Sequence, residues 1–132
     1  MNVELEAIAS RVIDTSMAIH VDVGPGLLES VYETLLAARL EKQGFKVDRQ
    51  LPVKAVIDSI VFPKAFQIDL LVNDTLLVEL KSVEKLSPVH AKQTLTYLRL
   101  MKLPLGLLIN FGGITLKEGL KRVVNNYREF GD

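Results

Sequence analysis

Three charged residues, Asp69, Glu79 and Lys81, lie inside the otherwise apolar segment Ile68 to Val83, IDLLVNDTLLVELKSV. Two carboxylates suit Mg²⁺, which prefers oxygen ligands, takes one or two carboxylates and leaves other positions for water and a substrate phosphate. A lysine beside them can orient or deprotonate a water, or offset charge that develops on a phosphate. Whether the three meet depends on backbone geometry. The segment divides into IDLLV and LLVELKSV around Asn73-Asp74-Thr75, which predicts a β-hairpin. Side chains alternate faces along a strand, so Glu79 and Lys81 share a face. Asp69 joins them only if the loop has an odd number of residues, and a three-residue loop places it directly opposite Glu79. The even positions Ile68, Leu70, Val72, Leu76, Val78 and Leu80 then form a wholly apolar second face. Burying such charges without partners is costly. Two readings fit this segment alone: a metal half-cage, or a buried ion pair of Lys81 with Glu79 or Asp69.

The remaining elements must hold that hairpin in place. Leu5, Ile8, Val12, Ile13, Met17 and Ile19 fall near the spacing of one helix face, which predicts a helix from Val3 to about Val21 ended by Val-Gly-Pro-Gly at 23–26. His20 lies in its last turn, where the helix dipole favours a histidine. Leu27 to Gln43 predicts a second helix closed by Gly44, with Glu29 and Tyr32 on one side near its start. An acid in a first turn complements the macrodipole without any further role. Phe45 to Ile57 alternates as a strand with an irregularity near Arg49-Gln50-Leu51-Pro52, and Asp58-Ser59 turns it into Ile60-Val61-Phe62. Ser87-Pro88 starts a helix to Lys102 that puts Gln93 and Tyr97 on one face, with His90 nearby. Leu105 to Phe111 reads as a buried strand reached by a parallel crossover. Leu116 to Phe130 reads as a terminal amphipathic helix, its Lys117, Lys121, Arg122 and Arg128 a solvated face more commonly than a phosphate-facing strip. The predicted class is α/β (α+β), a mixed central sheet with an antiparallel hairpin flanked by helices.

Composition narrows the function classes. The chain of 132 residues fits one domain spanning 1–132, and 48% apolar with 24% charged residues is ordinary for a soluble protein. Lys plus Arg equals Asp plus Glu at 16 each, which argues against binding polyanions through overall charge. Without cysteine there is no disulfide framework and no thiolate metal site. The first residues carry acids and no long apolar run, so neither a signal peptide nor a membrane span is expected, and the location is read as cytoplasmic.

Asp69 followed by Glu79-Leu80-Lys81 resembles the Asp and Glu-x-Lys signature of the PD-(D/E)XK nuclease superfamily. More specifically, Gly26-Leu27-Leu28-Glu29-Ser30-Val31-Tyr32 resembles the motif naming the GxxExxY protein family, a branch of that superfamily. The stretches GPGLLESVYE, ELKSVEKLSPVHAKQ and LGLLINFG extend the likeness over nearly the whole chain. The resemblance implies that Asp69 and Glu79 bind Mg²⁺ or Mn²⁺, that the Leu80 carbonyl completes the metal shell, and that Lys81 sits at the attacking water. It further implies that Gln93 and Tyr97 border the site, that Glu29 supports the metal or its water, and that His20 is a metal ligand. Two features depart from the pattern: Ile68 stands where a proline precedes the aspartate, and Gln67 lies in a run where an arginine is expected. Glutamine lacks the bidentate fork that positions phosphates.

The leading reading is therefore a Mg²⁺-dependent nuclease acting on nucleic acid, DNA rather than RNA, without sequence specificity of its own. A homo-oligomer or a protein partner would supply basic surface. The rivals are a non-catalytic binding module on the same fold and a metal-dependent hydrolase of a small phosphorylated molecule.

Overall fold

The computed structural model describes residues 2–127. Helix α1 (Val3–Val23) starts where the Asn2 side chain accepts from Leu5 N, and it stops at Gly24, whose φ of 73° leaves the helical region. Helix α2 (Glu29–Lys42) follows after Gly26, at φ 104°, and ends before Gly44, at φ 95°. Five strands follow: β1 (Val47–Ile57), β2 (Ile60–Val72), β3 (Leu76–Lys81), β4 (Leu105–Asn110) and β5 (Leu120–Val124). Helix α3 (Pro88–Met101) lies between β3 and β4, capped by the Ser87 hydroxyl with Pro88 in its first turn. The strands form one sheet in the order β1-β2-β3-β4-β5. All neighbours are antiparallel except β3 and β4, which the α3 crossover joins in parallel. The mixed sheet with flanking helices is the architecture predicted above.

Two layers of core hold the sheet. Helices α1 and α2 cover one face, packing Leu5, Ile8, Val12, Tyr32, Leu36 and Leu40 against Leu70, Val72, Leu76, Val78, Leu80, Leu107 and Ile109. Helix α3 covers the other through Leu98, against Ile68, Leu71, Leu77 and Val123. Ile68 thus departs from the predicted even face, because the inward-facing parity inverts along both β1 and β2. In β2, Leu70 and Val72 face α1 and α2, whereas Ile68 and Phe66 face α3; in β1, Val47 does the former and Leu51 and Val53 the latter. The inversion falls at Gln50, whose φ of 47° is left-handed in mid-strand, and at Asp69 across from it.

Among the described residues the predicted terminal helix is absent. Leu116 and Leu120 match a helical spacing, but residues 120–124 pair with β4, and only Lys117–Gly119 forms a short 3-10 turn. Every residue of β4 is buried, so its outer backbone groups need a strand to satisfy them, and Val123-Val124 is well suited to that role. Gly119 permits the turn into β5, since a Cβ there would lie 2.7 Å from the Asn110 carbonyl oxygen. Of the four basic residues, Lys117 and Lys121 are exposed, Arg122 pairs with Glu6, and Arg128 lies outside the described residues. Strand β2 runs unbroken through Pro63, where a register shift in the β1–β2 pairing accommodates the proline. Among the described residues no helix is long and apolar enough to cross a membrane.

Candidate active site

The β2–β3 hairpin closes through Asn73-Asp74-Thr75, with Val72 paired to Leu76 and Leu70 to Val78. Continuing that register sets Asp69 against Glu79, as the odd loop requires. There the backbone ladder gives way to side chains. Leu80 N donates to Asp69 Oδ2 at 2.8 Å, and Asp69 N donates to Glu79 Oε1 at 3.3 Å. Each carboxylate therefore occupies a backbone donor of the opposite strand, which fixes the orientation of both. Glu79 is 7% exposed, and its pKa is pushed up to about 9, first by burial and then by the charge and side-chain hydrogen bond of Asp69. Lys81, half-buried two residues on, opposes that shift through its charge. Among the described residues no ion pair within 4.0 Å joins Lys81 to either carboxylate, so the buried ion-pair reading finds no support.

Glu29 enters from the first turn of α2. Its pKa is raised by burial and then by the charge of Asp69, with Lys81 opposing, which couples it electrostatically to the hairpin residues. The loop that delivers it is held at several points. Tyr32 is fully buried, stacks on Phe111 at 4.5 Å, donates to the Gly24 carbonyl at 2.6 Å and accepts from Leu27 N at 3.1 Å. From the end of β3, the Ser82 hydroxyl donates to the Leu27 carbonyl at 2.7 Å. The glycine, glutamate and tyrosine of the 26–32 motif thus have separate physical jobs: a left-handed turn, a charge beside Asp69 and a staple.

From the other side Tyr97 stacks on Phe66 at 4.3 Å, and its pKa is raised by burial and then by the charges of Glu79 and Asp69. Gln93, one turn earlier on that side of α3, is exposed. The histidines are engaged elsewhere. His20 Nε2 lies 3.1 Å from the Gly113 carbonyl oxygen. A carbonyl can only accept, so in this arrangement Nε2 carries the proton and the lone pair of the neutral ring lies on Nδ1. His90 Nδ1 accepts from Ser87 N at 3.1 Å and completes the cap of α3.

A second tier behind Asp69 went unread in the sequence. Gln50, across from Asp69 on β1, donates through Nε2 to Asp69 Oδ1 at 3.2 Å and to Glu33 Oε1. Arg49 secures Glu33, with Nε at 3.2 Å and Nη2 at 3.0 Å from Oε2, and Gln67 Nε2 donates to Gln50 Oε1 at 2.7 Å. The irregularity at Arg49-Gln50-Leu51-Pro52 was the one available signal, and it marks a change of strand face, which local patterning cannot connect to Asp69.

The family model of the PD-(D/E)XK nuclease superfamily matches residues 6–123. The chain belongs to the PD-(D/E)XK nuclease superfamily. No curated protein and no solved structure matches it. Members of the superfamily are usually nucleases and generally use divalent ions such as Mg²⁺ or Mn²⁺. The donor set of this PD-(D/E)XK chain fits such an ion: a buried carboxylate, Glu79, meets a half-buried one, Asp69, and among the described residues no ion pair joins a cation to either. Among the described residues no group of three or more His, Cys, Asp or Glu side chains forms a metal cage, but Mg²⁺ needs only one or two carboxylates when water and phosphate complete the shell.

Proposed function

We propose that this chain is a metal-dependent nuclease of the GxxExxY branch, hydrolysing phosphodiester bonds in nucleic acid, DNA rather than RNA. The observation that carries the reading is the meeting of Asp69 and Glu79 over the end of β3, each held by the other strand's backbone, with Lys81 two residues further on. In this reading Asp69, Glu79 and the Leu80 carbonyl hold Mg²⁺ or Mn²⁺. A bound ion of this kind lowers the pKa of a coordinated water and offsets charge on the phosphate. The Lys81 ammonium orients the attacking water, and Glu29, with its raised pKa, takes up or returns a proton beside it. Tyr97, kept neutral, and Gln93 offer uncharged donors along the border of the site. His20 holds the turn at Gly113 through Nε2, so its part as a ligand in this reading falls to Nδ1.

Zero net charge leaves little for reading base sequence, so cleavage directed by ends or structure fits better. In this reading the protein acts as one cytoplasmic domain with no membrane attachment, as a homo-oligomer or with a protein partner. The test is cleavage of labelled single- and double-stranded DNA and RNA with Mg²⁺, Mn²⁺ or chelator, beside Lys81→Ala. Metal-dependent cutting that falls at least about 100-fold in the variant is expected. Cutting that survives chelator, or that Lys81→Ala leaves intact, ends the reading.

A further inference from the structure

We propose that Gln50 is a positioning residue: from a strained left-handed backbone it orients the Asp69 carboxylate toward a divalent cation while leaving that carboxylate its full charge. The proposal rests on the nuclease reading only for its metal. Its own support is geometric.

Gln50 occupies the register position between the pairs Arg49–Leu70 and Leu51–Ile68, directly across from Asp69. Its φ of 47° lies in the left-handed region, which a non-glycine residue rarely adopts. Such strain persists only where the surroundings enforce it. Here they do. Both Nε2 hydrogens go to carboxylates, Asp69 Oδ1 and Glu33 Oε1, and Oε1 accepts from Gln67. An amide turned the other way would aim its oxygen at two carboxylates, so the orientation is determined. Glu33, 5% exposed and secured by Arg49, is a rigid anchor on α2. Asp69 is thus gripped at Oδ2 by Leu80 N and at Oδ1 by Gln50.

The choice of an amide matters chemically. A lysine or arginine at this position would also donate a hydrogen bond, but its positive charge would compete with the cation for Asp69. A neutral donor steers the carboxylate without that competition. The network also accounts for Gln67, where the family resemblance leads one to expect arginine. Its amide completes the Gln50 clamp.

The test compares wild type with Gln50→Gly, Gln50→Met and Gln50→Lys by Mn²⁺ calorimetry without nucleic acid, thermal unfolding in chelator, and cleavage. Glycine relieves the backbone and removes the clamp, so Gln50→Gly should melt no lower than Gln50→Met in chelator. Both should bind Mn²⁺ about 10- to 100-fold more weakly than wild type, the range for lost partners of metal ligands. Gln50→Lys should bind Mn²⁺ more weakly than Gln50→Met despite its donor. Mn²⁺ affinity unchanged in the glycine and methionine variants overturns the proposal, as does wild-type affinity in Gln50→Lys or a wild type that binds no Mn²⁺. A wild type that binds Mn²⁺ with the expected variant pattern, yet cuts no substrate, supports the positioning role and sinks the nuclease reading alone.

Discussion

Glu79 links the proposed metal site to pH and to stability. Its carboxyl keeps its proton in the folded chain until about pH 9, against an ordinary value of 4.5. Between those values the folded state binds more protons than the unfolded one, so metal-free stability should fall as pH rises from about 5 to 9. The raised pKa of Glu29 adds with the same sign. A bound divalent cation takes the place of the proton, so metal affinity should rise with pH across that window. Thermal melts in chelator at several pH values, and Mn²⁺ calorimetry at pH 7 in buffers of different ionisation enthalpy, check both halves. Stability that climbs from pH 5 to 9, or binding without proton release, contradicts the assignment. Glu79→Gln should lose Mn²⁺ binding while melting no lower than wild type in chelator at pH 8, because an amide reproduces the neutral form in which the metal-free fold already holds this carboxyl. This carboxylate pair was legible in the sequence because strand alternation and the parity of a three-residue loop are local rules. Gln50 was not, since its reach to Asp69 depends on one left-handed residue in mid-strand.

The elements around the site were legible to different degrees. Helices α1, α2 and α3 carry periodic apolar faces with clear ends, and the chain folds them where those signals fall. Strand β5 was hidden, because the demand for its hydrogen bonds comes from β4 and not from its own sequence. The loop from Gly24 to Leu28 lies between these cases: its glycines announce a turn, but only the fold reveals Tyr32 as its staple. Tyr32→Phe keeps the ring on Phe111 and removes the bonds to the Gly24 carbonyl and Leu27 N. A loss of about 1–2 kcal/mol in chemical denaturation is expected for those unsatisfied groups. Because the loop carries Glu29, cleavage measured well below the melting transition should fall as well. An activity loss that merely follows the unfolded fraction would separate Glu29 from the chemistry.

At the scale of the whole molecule the sheet is uneven. Strand β3 pairs with β2 only from Leu70 to Val72, so β1 and β2 run on from Leu51 and Ile68 as a two-stranded ribbon. Its base packs on α3 through Leu51, Val53 and Phe66, but Val56, Ile57, Ile60, Val61 and Phe62 at its tip are 40 to 58% exposed. An isolated hairpin is marginal in water, and adjacent exposed apolar side chains with free strand edges favour pairing with another chain. A second copy is the natural occupant, since a net charge of zero sets up no overall repulsion between copies. We therefore expect concentration-dependent dimerisation in sedimentation experiments. The double variant Val56→Lys with Val61→Lys places like charges on directly opposed residues of the tip, remote from Asp69 in sequence and register. It should sediment as a monomer with its Mn²⁺ affinity intact. A wild type that stays monomeric at high concentration, or a double variant that associates as wild type does, would move the oligomer contact away from the ribbon. If the monomeric variant binds Mn²⁺ normally but cuts nucleic acid more slowly, the second copy contributes substrate-binding surface that a neutral single chain lacks.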